Sequence, residues 1–161
     1  MTSTVTQDEI RSEFLVRAAR DRVWWALTTE EGWTGWFSNA VEGKFEAGET
    51  LVMEFTGYGK GEAHLTTVDP QDCLAFRWHP GDAEMDGKAP DSEMTLVTFD
   101  LADHAEGTWV TMVESGFTNI PEERRFRCIS GNTEGWDWEL DEFVVWLEEG
   151  KPQSRSAAKE S

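Results

Sequence analysis

The sequence is short of positive charge. Its 161 residues hold 14 Lys and Arg against 32 Asp and Glu, a formal net charge of −18. Phosphate backbones are bound by clustered Lys and Arg, so no nucleic acid is expected as a partner. Arg124, Arg125 and Arg127 are too few to make a basic stripe, and Glu122 and Glu123 neighbour them. Cysteine is scarce as well. Cys73 and Cys128 lie far apart with no CxxC, which reads as two reduced thiols in a cytoplasmic protein. No run of 18 apolar residues occurs, so no membrane span is expected. The opening MTSTVTQDEI has neither a basic stretch nor an apolar one, so no secretory signal is expected. Metal-binding patterns are missing too. His64, His79 and His104 are isolated, without HExxH or Cys/His spacing, and no metal or cofactor is expected. His64 falls in mid-strand and is the one histidine to follow.

Aromatic residues, in contrast, are plentiful: 9 Trp, 9 Phe and 1 Tyr. That many large apolar side chains can offset chain entropy, so the chain is not disordered. Its length suits one domain, and a domain of this size buries about 68–70% of its unfolded surface without a disulfide or metal. The excess acid reads as a solvated surface. Residues 1–8 are polar and 150–161 are small, polar and Pro-containing, so both are expected as flexible tails around one domain over 9–149.

Along the body, Glu9 to Val16 suits a first strand. Asp21 is placed to cap a helix carrying Val23, Trp24 and Leu27. Gly32 then interrupts, and Trp33, Trp36 and Phe37 suit a second short helix. Phe45, Gly48, Leu51, Met53 and Phe55 fit a hairpin turning at Ala47-Gly48. Gly57-Tyr58-Gly59-Lys60-Gly61 lacks the GxxxxGK[ST] spacing of a phosphate loop and reads as a hairpin turn. Four more strands follow, over Ala63–Val68, Leu74–Trp78, Met94–Leu101 and Trp109–Val113, with a polar loop at Gly81–Ser92. Turns fall at Asp69-Pro70 and Glu106-Gly107.

Trp136, Leu140, Phe143, Val144 and Leu147 make one apolar helical stripe. Asn132 or Thr133 is placed to cap that helix, with a separate helical segment over Pro121–Ile129 and a bend near Gly131. From Cys128 to Gly150 there are seven acids and no Lys or Arg, so the opposite face is solvated. Strands without intervening helices make an antiparallel sheet, and the long helix buries its stripe against one face. The class is α+β.

Several segments together resemble a known family. Val23-Trp24-Trp25-Ala26-Leu27-Thr28 is similar to the VWxALT start of the START-like (SRPBCC) superfamily, and Trp36-Phe37 to its WF. Phe45-Glu46-Ala47-Gly48-Glu49 resembles its FxxGG hairpin, with Glu49 in place of the second Gly. Val68-Asp69-Pro70 and Leu74-Ala75-Phe76-Arg77-Trp78 resemble its VxPxxxLxFxW. Gly107-Thr108 with Glu114-Ser115-Gly116-Phe117 resembles its GTxLTLxESGF, and Gly135-Trp136 with Leu140 its final helix. The AHSA-type branch, homologues of the heat-shock-protein ATPase activator, is the nearest likeness. The resemblance implies a helix-grip fold: a curved antiparallel sheet wrapped around the C-terminal helix, two short helices after the first strand, and an internal cavity.

Strand alternation and that resemblance together mark Met53, Phe55, Phe76, Trp78, Phe99, Met112, Trp136 and Leu140 as walls of a binding cavity. Glu114 shares the inward face of Val110 and Met112 and is expected near the polar end, with a carboxyl pKa raised by burial. Such walls suit a small hydrophobic or aromatic ligand. A cyclase- or hydrolase-type enzyme on an aromatic or polyketide-like substrate is the alternative. One carboxylate is thin evidence for catalysis, so a binder is favoured over an enzyme. A co-chaperone-like interaction module is a third reading; it would usually carry a further N-terminal domain. A homodimer is left open.

Overall fold

The structure, a computed structural model, describes residues 3–57, 59–81 and 89–150. Most of the loop expected at 81–92, and the expected tail beyond Gly150, lie outside them. Eight strands form one antiparallel sheet: β1 (Thr4–Val5), β2 (Glu9–Val16), β3 (Ala40–Glu42), β4 (Thr50–Phe55), β5 (Gly59–Asp69), β6 (Cys73–Trp78), β7 (Thr95–His104) and β8 (Gly107–Ser115). Among the described residues three α-helices complete the fold: α1 (Arg20–Thr28), α2 (Glu30–Trp36) and α3 (Glu122–Glu149). The strand order is β1-β2-β8-β7-β6-β5-β4-β3, so the early strand β2 pairs with the last strand β8. The sheet is curved and unclosed, as a helix grip requires. A register shift between Leu65 and Thr67 marks a bulge in β5, and bulges bend the strand that carries them. Among the described residues, no helix is long and apolar enough to cross a membrane.

Alternation builds the core. On β8, Thr108, Val110, Met112 and Glu114 are buried while the residues between them are partly exposed. Helix α3 lays Ile129, Trp136, Leu140, Phe143 and Leu147 onto that layer. Helices α1 and α2 close one end. The buried indoles of Trp33 and Trp36 donate to the carbonyls of Leu27 (2.6 Å) and Ala26 (3.0 Å) at the end of α1. Helix-end carbonyls lack intrahelical partners, and these two side chains, with the Thr29 hydroxyl on Trp25 O (2.8 Å), satisfy those of α1.

Four expectations are corrected. Asp21 does not cap α1: Ala19 is the N-cap, without a side-chain bond, and Asp21 sits in the first turn. The start is set from outside the helix, because Arg20 reaches Leu101 O (2.7 Å) and the Asp72 carboxylate (3.0 Å). Gly32 does not separate the helices. The break is at Thr29, whose hydroxyl accepts from Gly32 N, and a Cβ at position 32 would lie 2.6 Å from Ala26 Cα. Glycine is there for close approach. Helix α3 is a single element of 28 residues, begun at Pro121 rather than capped by Asn132 or Thr133. Cys128 and Ile129 are buried, and Thr133 bonds back to Ile129 O (2.7 Å), so packing carries the helix past Gly131. Finally, Thr4–Val5 of the polar N-terminal segment adds an edge strand on β2. The turn at Ala47-Gly48 is present, with Gly48 at φ +90°, a region glycine enters freely. It lies in the longer connection from β3 to β4, and Phe45 lies outside both strands.

Candidate functional site

The inward row of β8 ends at Glu114, whose side chain is completely buried. Each of its oxygens takes two hydrogen bonds. Oε1 accepts from Asn132 Nδ2 and Trp136 Nε1, both at 2.8 Å. Oε2 accepts from Trp78 Nε1 at 2.8 Å and Thr95 Oγ1 at 2.5 Å. Register explains the convergence. Trp78 on β6 stands opposite Thr95 on β7, and Val97, two residues on, stands opposite Glu114. Asn132 and Trp136 are four apart on α3 and share a helix face. One carboxylate therefore ties three strands to the long helix.

Burial pushes the Glu114 carboxyl above the usual carboxylate range, and its four hydrogen bonds only partly offset this. The partners also say where a proton can sit. Indole N–H groups only donate. The Asn132 amide is oriented by Gly81 N, which donates to its Oδ1 at 3.1 Å. Only the Thr95 hydroxyl can turn round and accept, so the acid form carries its proton on Oε2, aimed at Thr95 Oγ1.

Above this carboxylate lies an aromatic wall. Phe37, the C-cap residue of α2, stacks on Trp136 with ring centroids 5.6 Å apart and 7° between planes. Its ring is 5.8 Å from Trp78 and 5.4 Å from Phe55. These four rings and Met53 line a cleft of about 1110 Å³, bounded on one side by the β4–β5 hairpin and on the other by α3. Drug-sized ligand pockets run to about 300–1,000 Å³, so the space is ample. Among the described residues, the polar groups on its lining are Lys60, Glu62, His64, His79, Asp91, Asn132 and Glu139.

Of the residues marked from the sequence, Met53, Phe55, Trp78 and Trp136 come together on the cleft. Phe76, Phe99, Met112 and Leu140 are buried away from its lining, and Glu114 lies beneath the two indoles. The space expected between sheet and helix at that depth is occupied. Trp36 stands there, 6.0 Å from Phe99 and 4.7 Å from Phe143, and the open volume lies by the β4–β5 hairpin. His64 is held by Thr50 Oγ1 at 3.0 Å and lies 3.4 Å from Glu62.

Sequence reasoning missed Phe37, Asn132 and Thr95 at the site. Two of them had a usable signal. Asn132 is one helical turn before Trp136, and Thr95 is on the Val97 face of its strand. Phe37 had none, since its place depends on where α2 docks. A second concavity, about 700 Å³, runs between the end of β1 and the start of α3, where Phe126 is 80% exposed.

No curated protein sequence matches the chain. Solved structures do. The Aha1 protein of Colwellia psychrerythraea, solved as a dimer, is 25% identical with a TM-score of 0.72, over 89% of this chain and 98% of that one. DynU16, a protein of the dynemicin biosynthetic locus, is 26% identical with a TM-score of 0.73, over 90% of this chain and 49% of that longer one. An AHSA1-like protein from Aeromonas hydrophila is 17% identical with a TM-score of 0.67, over 88% of this chain and 93% of that one, and shares the fold. The profile of a family described as "Activator of Hsp90 ATPase homolog 1-like protein" matches residues 17–148, and with that span and this fold the chain belongs to that family, within the START-like (SRPBCC) superfamily.

Proposed function

We propose that this chain binds a small hydrophobic or aromatic molecule in the cleft. The observation that carries the reading is the wall of Phe37, Phe55, Trp78 and Trp136 facing a volume of about 1110 Å³. Met53, Phe55, Trp78 and Trp136 touch the ligand. Phe76, Phe99, Met112 and Leu140 support them from behind. Glu114 is a positioning residue: it holds the edges of two wall indoles, and of these the partly buried Trp78 presents ring area for stacking. Binding is favoured over catalysis because the acceptor positions of this carboxylate are taken by four protein donors. The two free thiols fit a reducing, cytoplasmic setting.

The test is direct. Protein purified from its own host is examined by native mass spectrometry for a co-purifying small molecule. In parallel it is titrated with 2-naphthol while Trp emission and thermal melting are followed. Saturating binding at about 100 times the Kd should add about 2.7 kcal/mol of stability. No bound mass, no emission change and no rise in melting temperature would overturn the reading.

A second reading has an observation of its own. Phe126 and Val5, both exposed apolar residues, line the second concavity, and the Colwellia relative is a dimer. Docking of a second copy there would show in sedimentation as a dimer that Phe126→Ser dissociates.

A further inference from the structure

Four glycines line the cleft, Gly59, Gly61, Gly81 and Gly135, and two of them, Gly61 and Gly135, lie inside a strand and a helix without a left-handed backbone. On β5, Gly61 stands directly opposite Met53 of β4, on the face that lines the cleft. A Cβ built there would meet only Met53 Cε, at 3.9 Å. On α3, Gly135 lines the cleft beside Trp136, and a Cβ built there would meet nothing within 4 Å. Neither glycine is explained by packing. Neither has a left-handed backbone that would call for glycine, in contrast to Gly57 in the adjacent turn and Gly59 at the start of β5. Both weaken their elements, because glycine in a strand or helix interior costs chain entropy that a larger residue would not. Gly131 of α3 is equally unencumbered but lies off the cleft, whereas Gly61 and Gly135 both open into the same aromatic-walled space.

We propose that Gly61 and Gly135 are the specificity-determining positions of this cleft, and that they admit a planar ring system. This rests on the binding role proposed above. Bare backbone on the strand wall is a flat surface that a ring can approach closely. On the strands either side of it, Phe55 of β4 and Trp78 of β6 are only partly buried and present ring area for stacking. The indole N–H groups of Trp78 and Trp136 are already given to Glu114, so these rings offer a ligand no donor. The ligand's polar group therefore stays with the charged lining residues, among them Lys60, Asp91 and Glu139. A planar aromatic with one polar edge meets each of these conditions. A puckered alicyclic of equal size does not.

The experiment compares 2-naphthol with its saturated counterpart decahydro-2-naphthol, by Trp emission, on the full chain and on Gly61→Leu, Gly135→Leu, Trp78→Leu and Phe126→Ser. The parent chain should bind 2-naphthol at least tenfold more tightly than the saturated alcohol. Each leucine at a glycine position should weaken 2-naphthol at least tenfold, with a melting temperature equal to or above that of the parent. Phe126→Ser, in the other concavity, should bind as the parent does. Where a leucine variant does not fold, the alanine variant decides, with at least a threefold weakening expected. If the parent binds and Trp78→Leu does not, but both glycine variants bind unchanged, the glycine inference is overturned and the cleft reading stands. Equal binding of the two alcohols also overturns it. If the parent does not bind, or Phe126→Ser removes binding, the cleft reading itself fails.

Discussion

Replacing Glu114 by Gln changes one atom and should destabilise the protein. The side chain keeps its shape, but one acceptor oxygen becomes an N–H₂ donor. With the new amide nitrogen at the Oε1 position, it meets the N–H of Trp136 and the N–H₂ of Asn132. Asn132 cannot flip to relieve this without facing its own N–H₂ toward Gly81 N. With the nitrogen at the Oε2 position, Thr95 can rotate to accept, but the Trp78 indole then loses its acceptor. Either way at least one indole N–H is left unpaired. A buried donor without a partner costs about 1–3 kcal/mol. For a chain of this size each kcal/mol moves the melting temperature by about 2–4 °C, so a fall of roughly 4–8 °C is the central expectation.

The pH profile adds a second readout. The folded pKa of Glu114 is raised, so the native state holds this proton after the unfolded chain has released it. The stability that this one group contributes is complete below its unfolded pKa, declines as pH rises through the folded pKa, and is flat above it. Glu114→Gln should remove that decline. Differential scanning calorimetry from pH 4 to pH 8 on both proteins makes the comparison. A Gln variant that melts within about 1 °C of the parent would refute the account of four converging donors, and one that keeps the same pH slope would refute the raised carboxyl pKa.

Two further outcomes are expected. Leu140, on α3, is fully buried, so Leu140→Ala should cost about 2–5 kcal/mol in urea unfolding, and a loss under about 0.5 kcal/mol would mean that the helix does not clamp the sheet. The net charge of −18 repels itself, so the melting temperature should be higher in molar sodium chloride than in dilute buffer; a flat or falling dependence would show the acids to be already dispersed or paired.

Much of this architecture was written locally. Period-two alternation over Gly107–Ser115 and its neighbours, and the 3.6-residue stripe through Trp136 and Leu140, are properties of short windows, and they determined the α+β class and which faces are buried. The inward face of Glu114 followed from the same alternation. The extent of α3 did not, because Gly131 and Asn132 look like an end locally while Cys128 and Ile129 are held by residues far away in the chain. Nor did the place of the cleft. Which aromatic residues fill the centre and which wall an opening depends on how α2 docks, and that docking is decided by Trp33 and Trp36 finding the carbonyls of α1. Periodicity assigns a residue to a face. It cannot say whether the facing layer carries a tryptophan that fills the space, as Trp36 does, or a glycine that leaves it open, as Gly61 and Gly135 do, because those partners are set by tertiary contact.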